Sequence, residues 1–383
     1  MTRIFITGGA GFIGARLCEL LAERGAEITV FDNLSAQVHG PEGNYASPTY
    51  ERAAAVAKVI KGDVRDYDAL ATAIPGHDAV VHLASETGTA QSMYAQQHYI
   101  DVNVTGTINL LRAIDEAAGG TVRRIAVAST RAIYGEGQYD DSGTVICADP
   151  RDPARLKKRD FGVYSPKTGT PITPRPTAED CLPKPSSTYA ITKLAQEQLI
   201  LNYRQTSGIE AVALRLQNVY GPGQSLKNPY TGLLSVFSTR ILNNRPIMVF
   251  EDGLCSRDFV FIDDVANALA LATLSEATAL GIINIGSGQA TTILDAAEML
   301  MSGLGRRTEL QVTGAFRAGD IRHNFANIAR AHAQLNYEPR TNVAEGISLF
   351  ASWVKTQPVS EDLFDQSIAE LKDRNLFVST QIS

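Results

Sequence analysis

Arg3-Ile-Phe-Ile-Thr7-Gly8-Gly9-Ala10-Gly11-Phe12-Ile13-Gly14 decides the fold of this 383-residue chain. The apolar run from Arg3 to Thr7 reads as a buried parallel strand. Gly8, Gly9, Gly11 and Gly14 follow at once. Ile13, Leu17, Leu20 and Leu21 then recur at helical spacing, and Gly25 stops the helix. Strand, glycine turn and helix in that order make a phosphate site. The helix N-terminus offers free N–H groups and a positive dipole end to a pyrophosphate, and glycines let the backbone approach it closely. A second strand, Ile28 to Phe31, ends at Asp32. An acidic residue about 20 positions past the glycines accepts hydrogen bonds from an adenosine ribose. Its carboxylate repels a 2′-phosphate, so NAD is expected rather than NADP.

Composition agrees with a globular enzyme-sized chain. Hydrophobic residues are 44% and charged residues 20%, which excludes disordered, collagen-like and disulfide-framework classes. The length suits two domains. Lys+Arg is 35 against 41 Asp+Glu, a net charge of −6 that argues against general nucleic-acid binding. Cys18, Cys147, Cys181 and Cys255 are scattered with no C-x2-C spacing. This suits a reducing cytoplasm and predicts no metal. No secretory leader is expected before Arg3. Val265 to Ile283 reads as a buried helix followed by a strand, not a membrane span.

Ile125 to Ala128 reads as a fifth strand carrying Ser129 and Thr130 at its C-terminal end, the edge beyond which ligands lie in open α/β sheets. Downstream comes Ser186-Ser-Thr-Tyr189-Ala-Ile-Thr-Lys193, with Pro185 and Ser186 as helix-start signals. Tyr189 and Lys193 are four apart and share a helix face. A free tyrosine, with a pKa of about 10, is a poor base at neutral pH. A nearby ammonium stabilises the phenolate and brings that value down. Tyr189 then takes or gives a hydroxyl proton while hydride moves between carbon and a nicotinamide, and Thr130 hydrogen-bonds the same oxygen.

The G-x-x-G-x-x-G spacing of Gly8, Gly11 and Gly14 after Thr7 resembles the extended branch of the short-chain dehydrogenase/reductases, specifically the NAD-dependent nucleotide-sugar epimerases and dehydratases. Gly62-Asp63 after Ala57 to Ile60, the strand-like Ala79 to Ala84, and Asn103-Val-Thr-Gly106-Thr107 are similar to the same family. The resemblance implies a Rossmann-type doubly wound parallel sheet with a smaller α/β substrate-binding domain. It implies cofactor contacts from Gly8, Gly11, Phe12, Ile13, Asp32, Asn33, Asp63, Val64, Leu83, Ala84 and Ser85, with Tyr189 and Lys193. His82 is expected to be a structural histidine.

For the substrate, a nucleotide sugar, the resemblance implies Thr130, Asn218, Arg257, Arg317 and Asp320. These lie in the stretches Arg215 to Pro222, Ser256 to Val260 and Phe316 to Asp320. Two arginines suit a diphosphate because the guanidinium fork donates bidentate bonds. The family's dehydratases carry Thr-Asp-Glu where this chain has Thr130-Arg131-Ala132, which argues against loss of water. Gln91 to Tyr94, Gly221 to Gln224, Asn228 to Gly232 and Gly319 to His323 resemble the 4-epimerases that act on dTDP-L-rhamnose. Net oxidoreduction and a non-catalytic NAD-binding role are the alternatives.

Residues 1–221, joined by about 259–276, are expected to hold the cofactor, residues 222–355 mainly the substrate, and residues 356–383 to form a C-terminal helix and tail. Glu136 to Lys184 is rich in Pro, Gly, Asp and Lys without periodicity. It retains no paired cysteines and is expected to be a lid or specificity element. Val359 to Leu376 has helical spacing and is expected to dock on the body. A homodimer through Tyr99 to Ile114 and Tyr189 to Tyr203 is implied by the resemblance alone.

Overall fold

The computed structural model describes residues 1–40, 47–228, 232–278, 280–317 and 319–378. Seven parallel strands form the central sheet: β1 (Arg3–Thr7), β2 (Glu27–Asp32), β3 (Lys58–Lys61), β4 (Ala79–His82), β5 (Arg124–Thr130), β6 (Glu210–Leu216) and β7 (Gly281–Ile285). Their order is β7-β6-β5-β4-β1-β2-β3. Every residue of β4 and β5 is buried, as expected of strands covered on both faces. The strand order reverses between β1 and β4, where Thr7 lies opposite His82. Connections leave these neighbours toward opposite faces, so a crevice opens at their carboxyl ends.

Helix α1 (Phe12–Glu23) buries Ala15, Leu17, Cys18 and Leu21 against the sheet. On the other face lie α2 (Gly106–Glu116) and α3 (Thr188–Ser207), whose Leu110, Ile114 and Ile200 share a core with Phe5, Val80 and Ile125. The α3 cap is Ser187, one residue past the expected start, with its hydroxyl accepting from Ala190 N–H at 3.1 Å. Past Tyr220 the chain builds a second core from α4 (Leu233–Leu242), then returns through α5 (Ile262–Leu274). Val265 and Leu269 of α5 share a core with Ile4, Val30 and Ile283. The apolar stretch after Val265 is therefore a helix and a buried strand. Among the described residues no helix is long and apolar enough to cross a membrane.

Helices α6 (Ile293–Leu304) and α7 (Val343–Val354) complete the second core, with Phe259, Phe261 and Phe350 edge-on to Tyr220. Asn218–Tyr220 pairs in parallel with Phe259–Phe261, which draws Asn218 toward Arg257. Helix α8 (Phe364–Asp373) is followed by Phe377–Val378, paired antiparallel with Phe316–Arg317.

The segment 136–184 differs from its reading as an irregular lid. Gln138–Asp141 pairs with Thr144–Cys147 on one side and Thr173–Pro174 on the other. Folding back brings two thiols together that are far apart in sequence: the Leu182 N–H donates to Cys147 Sγ at 3.2 Å, beside the buried Cys181. Both remain free thiols. Among the described residues no three His, Cys, Asp or Glu side chains cluster as metal ligands would.

Candidate active site

The glycine turn runs under the crevice between β1 and β4. Gly8 has φ +71°, and a Cβ there would meet Ala84 N at 2.6 Å. A Cβ on Gly14 would meet Gly9 Cα at 2.5 Å, so this glycine sets how closely α1 approaches the turn. A Cβ on Gly11 would meet nothing nearer than Gly8 O at 3.4 Å. Gly11 caps α1 without a side chain, which leaves the first-turn amides of Phe12 and Ile13 for a ligand.

Asp32 ends β2 with its carboxylate accepting from Ala10 N at 3.0 Å and Leu34 N at 2.9 Å. Burial pushes this carboxyl up, and the two amides and His39, whose Nε2 lies 3.8 Å away, oppose the shift. His39, which no sequence pattern marked, is itself held by Ser47 at 2.7 Å. Asn33 Nδ2 donates to Asp63 at 3.1 Å, and Arg65 pairs with Asp63 at 2.7 Å. The Arg65 hydrogen bond holds the Asp63 carboxyl down at about 2. Val64 packs on Gly106, where a Cβ would meet Val64 Cγ2 at 2.6 Å. Leu83 N donates to Thr7 O at 3.0 Å, Ala84 N to Thr7 Oγ1 at 3.3 Å, and Ser85 Oγ to Glu86 O at 3.0 Å. The open glycine cradle, the uncapped helix start and the carboxylate at the end of β2 fit a dinucleotide.

His82 is a structural residue, as its reading predicted. Thr7 Oγ1 lies 2.6 Å from Nδ1, and Thr107 Oγ1 3.1 Å from Nε2. Burial, with Lys193 adding to it, takes its pKa down to about 3.

Tyr189 and Lys193 share one face of α3, and Thr130 at the end of β5 lines the same cavity as Tyr189. Burial raises the Tyr189 pKa, and Thr130 and the Arg131 guanidinium pull it back. The cation set against Tyr189 here is thus Arg131. Lys193 donates to Gln196, which also reaches His82 at 2.9 Å. Burial lowers the Lys193 pKa to about 7, with Glu197 opposing. Glu197 in turn forms a buried pair with Arg215 at 2.6 Å and accepts from Ser129 at 2.6 Å. Gln196 and Glu197 were missed because they occupy ordinary helix positions.

Beside this group opens a cavity of about 410 Å³ lined by Thr130, Arg131, Tyr189, Gln217, Asn218, Arg257, Arg317 and Asp320, among others. Asn218 Oδ1, both amide atoms of Gln217, Gln224 Oε1 and Arg317 Nε are buried and have no partner among the described residues. Unpaired buried polar groups are costly, and these four residues are also part of the cavity lining. The two expected arginines behave differently. Arg257 is engaged with Asp320 at 2.9 Å and with the carbonyls of Ser256, Ile321 and Arg322. Arg317 lies over Phe250, 4.7 Å from the ring centroid. Burial pushes the Asp320 carboxyl up, but Arg257, Arg317 and Arg151 overcome it and hold it below its usual range. Arg131 adds a third guanidinium that the sequence reading treated only as a missing acid.

None of residues 136–184 lines this cavity. The lid expectation is corrected: the segment braces the site from behind. Glu136 accepts from Arg322 N at 2.7 Å and Arg151 Nε at 2.7 Å, and Arg151 donates to Asp320 O at 2.9 Å. Residues 229–231 of the Asn228 to Gly232 stretch lie outside the described residues.

Comparison with known proteins matches the NAD dependent epimerase/dehydratase family model at residues 4–156 and 162–286. The dTDP-L-rhamnose 4-epimerase of Burkholderia thailandensis is 39% identical over 358 residues, covering 92% of this chain and 94% of that protein. The UDP-glucose 4-epimerase of Thermotoga maritima, solved with UDP-glucose, superposes with a TM-score of 0.73 at 26% identity, covering 92% of this chain and 99% of that one. The UDP-glucuronic acid 4-epimerase of Bacillus cereus, solved with UDP-glucuronic acid and NAD, gives 0.74 at 25% identity, again over 92% and 99%. The family match runs from the glycine turn through the Tyr189 helix and on to β7, and the chain belongs to the NAD dependent epimerase/dehydratase family, with NAD as its cofactor.

Proposed function

We propose that this chain is a nucleotide-sugar 4-epimerase that works through a transient 4-ketose, with dTDP-L-rhamnose as the first candidate substrate. The observation that carries the reading is the wall of unpartnered polar atoms on Gln217, Asn218 and Arg317 in the cavity that also holds Thr130 and Tyr189. The 39% identical relative, a dTDP-L-rhamnose 4-epimerase, supports the choice of sugar.

NAD, when bound, supplies the acceptor and donor of hydride at the sugar C4. Tyr189 removes the C4 hydroxyl proton and later returns one, while Thr130 holds the oxygen. Arg131 stabilises the phenolate, and Lys193 occupies the same helix face beside it. Asn218, Arg317 and Arg257, with Asp320, grip the nucleoside diphosphate. The sugar turns about its link to the phosphate and presents its opposite face. Arg131 and Ala132 supply neither the acid nor the base that dehydration of a ketone requires.

In this reading residues 1–221, with about 259–276, carry the cofactor and residues 222–355 mainly the substrate. Exposed Ile100, Ile108 and Ile191 lie on the two helical segments through which a homodimer would form, a state that light scattering at micromolar concentration tests. The free thiols suit a cytoplasmic enzyme.

Incubation with dTDP-L-rhamnose, UDP-glucose or UDP-glucuronate, followed by chromatography and proton NMR, tests the function. A C4 epimer without stoichiometric NADH supports it. Stoichiometric NADH or a stable deoxy-ketosugar overturns it.

A further inference from the structure

We propose that the C-terminal segment, residues 362–378, is a wall of the substrate cavity and receives the nucleobase. The inference rests on the nucleotide-sugar reading and adds which part of the chain selects the base. Neighbouring side chains trace a path along the cavity. Tyr189 and Thr130 mark the sugar position, and the same lining carries Arg131, the Arg257–Asp320 pair at 2.9 Å and Arg317. Beyond Arg317 the lining turns apolar. Arg317 stacks on Phe250, and Phe250 meets Phe364 at 6.4 Å and Phe377 at 5.2 Å between ring centroids. Phe364, Leu371 and Leu376 line the cavity together with Val236, Met248 and Phe250. A ligand whose sugar lies at Tyr189 and whose diphosphate lies at the arginines brings its base to this end. A flat ring with apolar faces suits such a lining.

The segment is fastened on three sides. Phe377–Val378 pairs antiparallel alongside the strand that bears Arg317. Arg240 pairs with Asp362 at 3.2 Å and Asp365 at 2.9 Å. Arg374 lies over Tyr94, 4.1 Å from its centroid. Helix α8 turns Phe364, Ile368 and Leu371 inward at helical spacing and keeps Asp365 outside. The wall is therefore part of the folded body, and it is tied directly to the arginine that meets the phosphates.

Calorimetry with dTDP and with inorganic pyrophosphate separates a base wall from a general prop. In Leu371→Ala and Leu376→Ala, dTDP binding is expected to weaken by roughly tenfold, with pyrophosphate binding and NAD content unchanged. Leu371→Met restores dTDP affinity. Unchanged dTDP affinity in both alanine variants, or equal loss of dTDP and pyrophosphate binding, overturns the proposal. Because the measurement needs no turnover, failure of the epimerase reading would show separately, as absence of a C4 epimer from wild-type enzyme that still binds dTDP.

Discussion

Around the glycine turn, recognition belongs to the backbone; around the 410 Å³ cavity it belongs to side chains. Among the described residues, every buried side-chain nitrogen or oxygen before Arg124 has a partner within the chain. Asp32, Asp63 and His82 are all engaged. Around the cavity, Gln217, Asn218, Gln224 and Arg317 keep buried atoms without one among the described residues. The difference teaches how the two ligands are treated. A cofactor kept through every turnover suits a rigid, self-satisfied cradle. A substrate that enters and leaves can complete hydrogen bonds that the protein alone leaves open, and each such bond then favours binding over the free state.

Substitutions sharpen or break this contrast. The largest effect is expected at the junction of the halves. Tyr189→Phe should reduce kcat by about 10²–10⁴-fold while dTDP binding and NAD content stay near wild type. Near-normal turnover would remove Tyr189 as the proton carrier. Next is the cradle. Gly8→Ala places a Cβ 2.6 Å from Ala84 N at φ +71°, so the turn must shift. The left-handed conformation alone costs about 1–2 kcal/mol for a residue with a Cβ, and the variant should purify without NAD and melt lower. Full NAD content would show that the turn tolerates a side chain.

The opposite sign is expected across the cavity. Asn218→Leu removes a buried carbonyl oxygen that has no partner among the described residues. The ligand-free variant should melt higher by about 2 °C and bind dTDP-sugar more weakly, with NAD content unchanged. A lower Tm together with normal sugar binding would break the comparison. The smallest effect is expected at Asp32. Asp32→Asn keeps the size and removes the charge. NAD binding should weaken modestly and NADP binding improve relative to it, as read by calorimetry. Tighter binding of NADP than NAD by the wild-type chain would overturn the role given to Asp32.

The same contrast explains what was legible in the sequence. A turn that only glycine can make must be written as glycine, so Gly8, Gly14 and their flanking strand and helix were readable within a dozen residues. Tyr189 and Lys193 were readable because one helix turn sets them side by side. Arg131, Gln217, Gln224 and α8 reach the cavity from distant parts of the chain, and such convergence leaves no local period. The segment 136–184 was misread for a related reason. Its order comes from the buried Arg151, which pairs with Glu136 at 2.7 Å and Glu251 at 2.8 Å, partners that no periodicity reveals.

The central claim is that the enzyme removes a hydride from C4 and returns the same one to the other face. Incubation of dTDP-L-rhamnose bearing deuterium at C4, with NMR and mass analysis of both sugars, tests it most directly. The account predicts a C4 epimer that retains the deuterium, with no NADH released. Deuterium lost to solvent or found in free reduced cofactor, or turnover that yields no C4 epimer, would contradict it.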